Sequence, residues 1–295
     1  MKKATTLTLI AFACSTVHAQ QMGMASGQAG STTHLMMTDV SRYCPINVLT
    51  SEGSLDNIVR ISGDKAVQMG YTQEDAAVYQ QGEDPDMMKR IQMVFPLFSA
   101  ELHLVVAANS PIKTLADLAG KRVYESAQGT GTWVTAQVIK GVTKINWVPV
   151  NLAKKEDGLR AILQGQADAG LFVEGRPIGL LEKAAGIRLI PIAHPQLDAF
   201  KYYTRALIPS GSYAWQTAAT PTYKVKFALM TYAYKNERQQ EIASIVTCIV
   251  KNMGALQKTG HSKWKDVDPT EIDKISWPVH PAAMAAIKRE LKAGR

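Results

Sequence analysis

The sequence is poor in the motifs that most often announce catalysis. Among its histidines, His34, His103, His194, His261 and His280 never fall three or four residues apart, and neither HExxH nor CxxC occurs. A local zinc site of either kind is therefore excluded. No GxSxG elbow occurs, which removes the nucleophile turn of a serine hydrolase. No uncharged apolar run is long enough to span a bilayer. Lys and Arg outnumber Asp and Glu by 33 to 25, yet they are scattered, and no dense basic run forms a nucleic-acid stripe. There is no internal repeat and no low-complexity segment. Cysteine is scarce, at three residues in 295.

What is present begins with a leader. Lys2 and Lys3 precede the apolar run LTLIAFAC, and Val17-His18-Ala19 offers small residues for cleavage. This order predicts a secretory signal peptide over residues 1–19, cut after Ala19, and a periplasmic mature chain. AFAC lacks the branched aliphatic residue usual three places before a lipidated cysteine, so Cys14 is read as part of the leader. Cys44 and Cys248 survive cleavage. In an oxidising compartment they either form a disulfide closing a loop of about 200 residues or stay as two buried thiols. The net charge of +8, two of it from the leader, favours solubility and anionic ligands.

The remainder alternates between short apolar strands and amphipathic helices. QQMGMASG, INVLT, VQMGYT, MKRIQMVFPLF, ELHLVVAAN, KRVYES, VTKINWVPV, ADAGLFVEG, IRLIPIA and YKVKFALMTYAY read as strands. Between them, STTHLMMTDVSRY, GTWVTAQVIKG and KKEDGLRAILQGQ read as helices, and helical segments close the chain. SPIKTLADLAG and RPIGLLEKAAG are predicted as further helices, and residues 194–223 as an irregular return crossing. The class is α/β. The layout suggests a lobe made from two separate pieces with a second lobe inserted between them.

Ser62-Gly63-Asp64-Lys65 matches SxxK and Lys258-Thr259-Gly260 matches KTG, the pair used in penicillin-recognising acyl transfer. Their context is wrong. Gly63 and Asp64 read as a helix end rather than a core helix, KTG ends a helical pattern, and no SDN lies between them. The constellation that remains is three polar, glycine-bearing turns, each opening a helix: residues 27–33, 51–54 and 126–132. Helix N-termini expose unpaired N–H groups and a positive dipole end, so they attract carboxylates and phosphates. In SAQGTGTW the lysine of a P-loop and the third glycine of a dinucleotide fold are both missing, which points to a smaller anion.

IKTLADLAGKRVYESAQGTGT resembles the signature of type 2 periplasmic solute-binding proteins. INVLTSEGSLDNIVRIS, DPDMMKRIQMVFPLFSAELHLVV, GQADAGLFVEGRP and LIPSGSYAW narrow it to the TAXI-type solute receptors of TRAP (tripartite ATP-independent periplasmic) transporters. The resemblance implies a monomer without cofactor or catalysis, built from two α/β lobes with a hinge and an interlobe cleft. Lobe I would comprise 20–104 and 211–295, and lobe II 105–210. The ligand would be a small organic acid or acidic amino acid, glutamate-like or dicarboxylate, delivered to a TRAP permease. A sensory module feeding a membrane receptor kinase is the alternative. Position by position, the resemblance places ligand contacts at Ser31, Thr32, Thr33, Gly53, Ser54, Asn57 and Gln73 in lobe I. In lobe II it places them at Gln128, Gly129, Thr130, Gly131, Thr132 and Glu174. Arg176 would clamp a carboxylate or sit at the surface, and Tyr213 would be a lid or a packing residue. The chain departs from the family where GSTTHLMM lacks an aromatic pair, and at Tyr71 and Glu174, which alter size and charge at the pocket.

Overall fold

The computed structural model describes residues 21–235, 237–274 and 276–293. The expected leader and its cleavage position lie outside them. The chain opens with β1 (Met22–Ala25), α1 (Thr32–Ser41), β2 (Ile46–Leu49), α2 (Ser54–Gly63), β3 (Met69–Gln73), α3 (Glu74–Glu83) and α4 (Pro85–Met88). A long strand, β4 (Ile91–Ala107), leads to β5 (Arg122–Tyr124), α5 (Gly131–Thr143), β6 (Val148–Val150), α6 (Lys155–Leu163) and β7 (Ala169–Glu174). Then come α7 (Gly179–Glu182), β8 (Ile187–Ile190), α8 (Pro195–Asp198), β9 (Tyr203–Ile208) and a second long strand, β10 (Thr220–Tyr232). Helices α9 (Glu237–Lys251), α10 (Met253–Thr259) and α11 (Pro281–Ala293) close the chain.

Strand order is β2-β1-β3-β10-β4-β7-β5-β6, with β8 added to β4 and β9 to β10. The β1–β2, β1–β3, β5–β6 and β5–β7 pairs are parallel, as helical crossovers require. The two long strands are different: each changes partner midway. β4 pairs with β10 up to Glu101 and with β7 from Glu101 onward. β10 pairs with β9 through Val225 and with β3 from Phe227. Each strand therefore belongs to both halves of the sheet, and the exchange points coincide at the middle of the molecule.

Local chemistry explains the helix starts. Ser31 precedes α1 and its hydroxyl accepts from the His34 N–H; Thr130 does the same for α5 through Trp133 N–H. Gly53 precedes α2 at φ 137°, and a Cβ there would stand 3.3 Å from both Gly131 N and Thr130 Cα. Only glycine combines that backbone with that close approach.

Three sequence expectations need correction. SPIKTLADLAG holds only a 3₁₀ turn at Ala116–Leu118, because the Asp117 carboxylate accepts from the Lys113 and Thr114 N–H groups and folds the segment back on itself. RPIGLLEKAAG shrinks to the single turn of α7. The return crossing is not irregular; it contains α8 and β9, whose ladder is supplied by the first half of β10.

The core runs along both halves of the sheet. Met24, Met36, Met37, Ile58, Met69 and Phe95 are fully buried around the first strands, and Val105, Tyr124, Ile162, Phe172 and Leu181 form a second cluster under α6 and α7. The C-terminal segment docks on the N-terminal one: the Asp39 carboxylate accepts from His261 N–H at 2.7 Å and Trp264 Nε1–H at 3.2 Å. Cys44 and Cys248 form a disulfide with a Cα–Cα distance of 5.8 Å, tying the end of α1 to α9. Among the described residues no helix is long and apolar enough to cross a membrane.

Candidate functional site

A cavity of about 80 Å³ lies where β4 and β10 exchange partners. At roughly 10–15 Å³ per enclosed water it has room for about five to eight waters, the scale of a small metabolite rather than a nucleotide.

Its polar wall is made of helix N-termini. Ser31, Thr32 and Thr33 open α1, Gly53 precedes α2, and Thr130, Gly131 and Thr132 open α5; all seven line the cavity. The hydroxyls at Ser31 and Thr130 are already occupied as caps, and Thr132 Oγ1 accepts from Val173 N–H at 3.3 Å. The groups left for a ligand are the O–H donors of Thr32 and Thr132 and the first-turn N–H donors of Thr32, Thr33, Gly131 and Thr132, which have no intrahelical acceptor. Two helices of ten residues or more point their positive ends into the same space.

The opposite wall is aromatic. Tyr71, Phe227 and Phe98 stack in sequence, with centroids 5.7 Å and 4.9 Å apart and interplanar angles of 22° and 12°. A β-bulge builds this stack. Lys226 faces Ser99 and Ala228 faces Pro96, so Leu97 and Phe98 together oppose Phe227, and the extra residue turns the Phe98 ring toward the cavity. Tyr124 and Phe172, 5.2 Å apart, add two rings from β5 and β7. Burial pushes the Tyr71 phenol up to about 12, so it stays protonated at neutral pH.

Three charged side chains line the space: Glu52, Lys155 and Glu174. Lys155 Nζ donates to both Glu174 oxygens, at 2.8 Å and 3.0 Å. Behind the polar wall runs a buried relay. Ser54 Oγ donates to Gln73 Oε1, Gln73 Nε2 to Thr135 Oγ1, and Thr135 Oγ1 to Asp75 Oδ2, which also accepts from the Tyr203 hydroxyl. Burial raises Asp75 to about 6 despite these bonds, and its other oxygen, Oδ1, has no partner. The relay joins α2, β3 and α3 to α5, and Leu55 N–H to Gly129 O at 3.2 Å and Gln28 Nε2–H to Ala153 O at 3.3 Å add further bonds between the N-terminal turns and the segments around α5 and α6.

The sequence-predicted residues divide accordingly. Gln73 and Glu174 line the cavity with the seven N-terminal residues above. Ser54 and Asn57 lie buried beneath it, Asn57 donating to the Tyr71 carbonyl. Gln128 and Gly129 stand outside it, Gly129 serving as the acceptor for Leu55 N–H. Arg176 is turned away, bonded to Glu101 at 3.3 Å and to Ser212. Tyr213 is a packing residue: its hydroxyl accepts from Ile178 N–H and donates to His103 Nε2, and its ring stacks on Trp215. Burial depresses His103 to about 4, so it is a neutral acceptor there. Ser62 donates to the Ile58 carbonyl at the end of α2, and neither Ser62 nor the KTG stretch lines the cavity. Sequence reasoning missed Phe98, Phe227, Tyr124, Phe172 and Lys155. The one available signal was Pro96, since a proline inside a strand marks an edge or a bulge.

Comparison with known proteins agrees with this geometry. The model of a family described as the NMT1-like family matches residues 26–288. An amino-acid ABC transporter substrate-binding protein from Streptococcus pneumoniae, bound to L-arginine, superposes with a TM-score of 0.52 at 13% identity, covering 91% of this chain and 96% of that one. A protein from a study of glutathione import through GshT and the cystine ABC importer of Streptococcus mutans gives 0.53 at 12%, covering 85% and 100%. The P235GK mutant of ArgBP from T. maritima gives 0.51 at 12%, covering 80% and 90%. At such identities the likeness identifies the fold: the two α/β lobes and interlobe cleft of type 2 periplasmic binding proteins.

Proposed function

This chain belongs to the NMT1-like family, and we propose that it is an extracytoplasmic solute receptor which closes two lobes around a small carboxylate. The observation that carries this reading is the convergence of the α1 and α5 N-termini, with Gly53 before α2, on one small cavity backed by aromatic rings. First-turn N–H groups are preorganised for a carboxylate and need no reorganisation when it arrives. The stacked rings cover its apolar body. Ligand contacts are assigned to Thr32, Thr33, Gly131 and Thr132 through the backbone, with Gln73 and Glu174 beside them. The likeness of fold to substrate-binding proteins of amino-acid transporters supports a transport role.

In this reading lobe I comprises residues 20–104 and 211–295 and lobe II residues 105–210, with β4 and β10 as the hinge. The leader delivers the chain to the periplasm, and a TRAP-type permease receives the ligand. No chemistry is performed on the solute. Scanning calorimetry of ligand-stripped protein against proteinogenic amino acids, monocarboxylates and four- and five-carbon dicarboxylates tests the proposal. A ligand at a hundredfold excess over its Kd adds about 2.7 kcal/mol of stability. No shift from any member at millimolar concentration would refute the carboxylate site.

A further inference from the structure

The charge inventory of the cavity is unusual for an anion site. Among the described residues lining it, Lys155 is the one cation, set against the carboxylates of Glu52 and Glu174. Lys155 is not free: Glu174 takes it with both oxygens, and each side chain is about three-quarters buried. Helix stability does not explain its position. Lys155 is the first residue of α6, where the dipole disfavours a cation, and the preceding Lys154 offers no side-chain cap. Its counterpart Glu174 ends β7 at the register position facing Glu101, where β4 passes from one half of the sheet to the other.

The pair also has a place in the shape of the cleft. Thr32, Lys155 and Glu174 line both the inner cavity and a wider recess of about 430 Å³ outside it. The ion pair thus stands, with Thr32, where the two spaces adjoin. A ligand seated on the helix N-termini shares the cavity with this pair.

We propose that the Lys155–Glu174 ion pair is the charge selector of the site, a proposal that rests on the solute-receptor reading. With Lys155 neutralised by Glu174, a ligand carrying one carboxylate is matched by the helix N-termini alone. A second carboxylate meets Glu174 and finds no unpaired cation. The selector therefore favours monocarboxylates and neutral amino acids over dicarboxylates and acidic amino acids. Removing either partner inverts or sharpens that preference. Glu174→Gln releases Lys155 to hold a second carboxylate, whereas Lys155→Gln leaves Glu174 to repel it.

The test is isothermal titration of the wild type, E174Q and K155Q with two matched pairs of probes, propionate against succinate and L-alanine against L-aspartate. Within each pair the members differ by one carboxylate, so general damage to the site cancels in the ratio of affinities. The wild type is expected to prefer propionate and L-alanine. E174Q is expected to move both ratios toward the second carboxylate by roughly ten- to hundredfold, the worth of one charged hydrogen bond. K155Q is expected to move them the opposite way. Retained binding with unchanged ratios in both variants would overturn the selector and leave the receptor reading intact. Binding of none of the four probes by any of the three proteins would remove the carboxylate reading, and the selector with it.

Discussion

Asp75 offers the sharpest test of the buried relay behind the site. It is fully buried, its Oδ2 accepts from Thr135 at 2.7 Å and Tyr203 at 2.8 Å, and burial lifts it from 3.8 to about 6. Between those two values the folded protein holds a proton that the unfolded chain has released. Stability must then fall as pH rises through this window and level off above it. Two pKa units correspond to roughly 3 kcal/mol. The perturbation is Asp75→Asn, which keeps the shape and removes the titration. Urea unfolding of both proteins at pH 4, 5, 6 and 7 supplies the measurement, and taking the difference cancels other titrating groups. The wild type should lose about 2.4 kcal/mol relative to the variant from pH 4 to pH 7, with the change concentrated between pH 4 and 6. A difference flat to within about 0.5 kcal/mol would show that Asp75 ionises as readily inside the protein as outside, and would refute the dominance of burial over the Thr135 and Tyr203 bonds at this carboxylate.

Replacing Cys44 and Cys248 by serine opens a loop of 204 residues and should lower stability by about 5 kcal/mol on the loop-entropy relation, read from the urea midpoint under oxidising conditions. An unchanged midpoint would mean that the bond constrains nothing in the unfolded chain. Thr130→Val removes the cap of α5 and should cost about 1 kcal/mol, with weaker binding of whichever ligand the calorimetric panel identifies, while Thr130→Ser keeps both. Equal behaviour of the two variants would dissociate the cap from the site.

The parts of the site written in contiguous residues were legible. Ser31, Gly53 and Thr130 announce helix starts because capping needs only the residues on either side, and those turns supply most of the polar wall. The alternation of strands and helices was legible for the same local reason. The aromatic wall was not. Tyr71, Phe98 and Phe227 come from three strands and meet only through the bulge at Leu97–Phe98, which depends on the partner strand. Nor was the partner of Glu174: Lys155 looked like one charge in the solvated run KKED, and only the packing of α6 against β7 brings the two together. The position of Arg176, open in the sequence between a clamp and the surface, is set by Glu101, its partner, 75 residues away. Seventeen residues of β4 read as two strand fragments because Pro96 and Ser99 break the apolar run, whereas ladders on both flanks keep the backbone extended through the break.

The disulfide also sets an order of events. A ribosome working at roughly 5–20 residues per second makes Cys44 about 10–40 s before Cys248. Throughout that interval the first cysteine has no native partner, while everything from β2 to β10 is being laid down between them. The bond closes only after α9 has been made and has found the end of α1. The native Cys44–Cys248 bond therefore marks, as well as stabilises, a molecule whose early and late segments have already met.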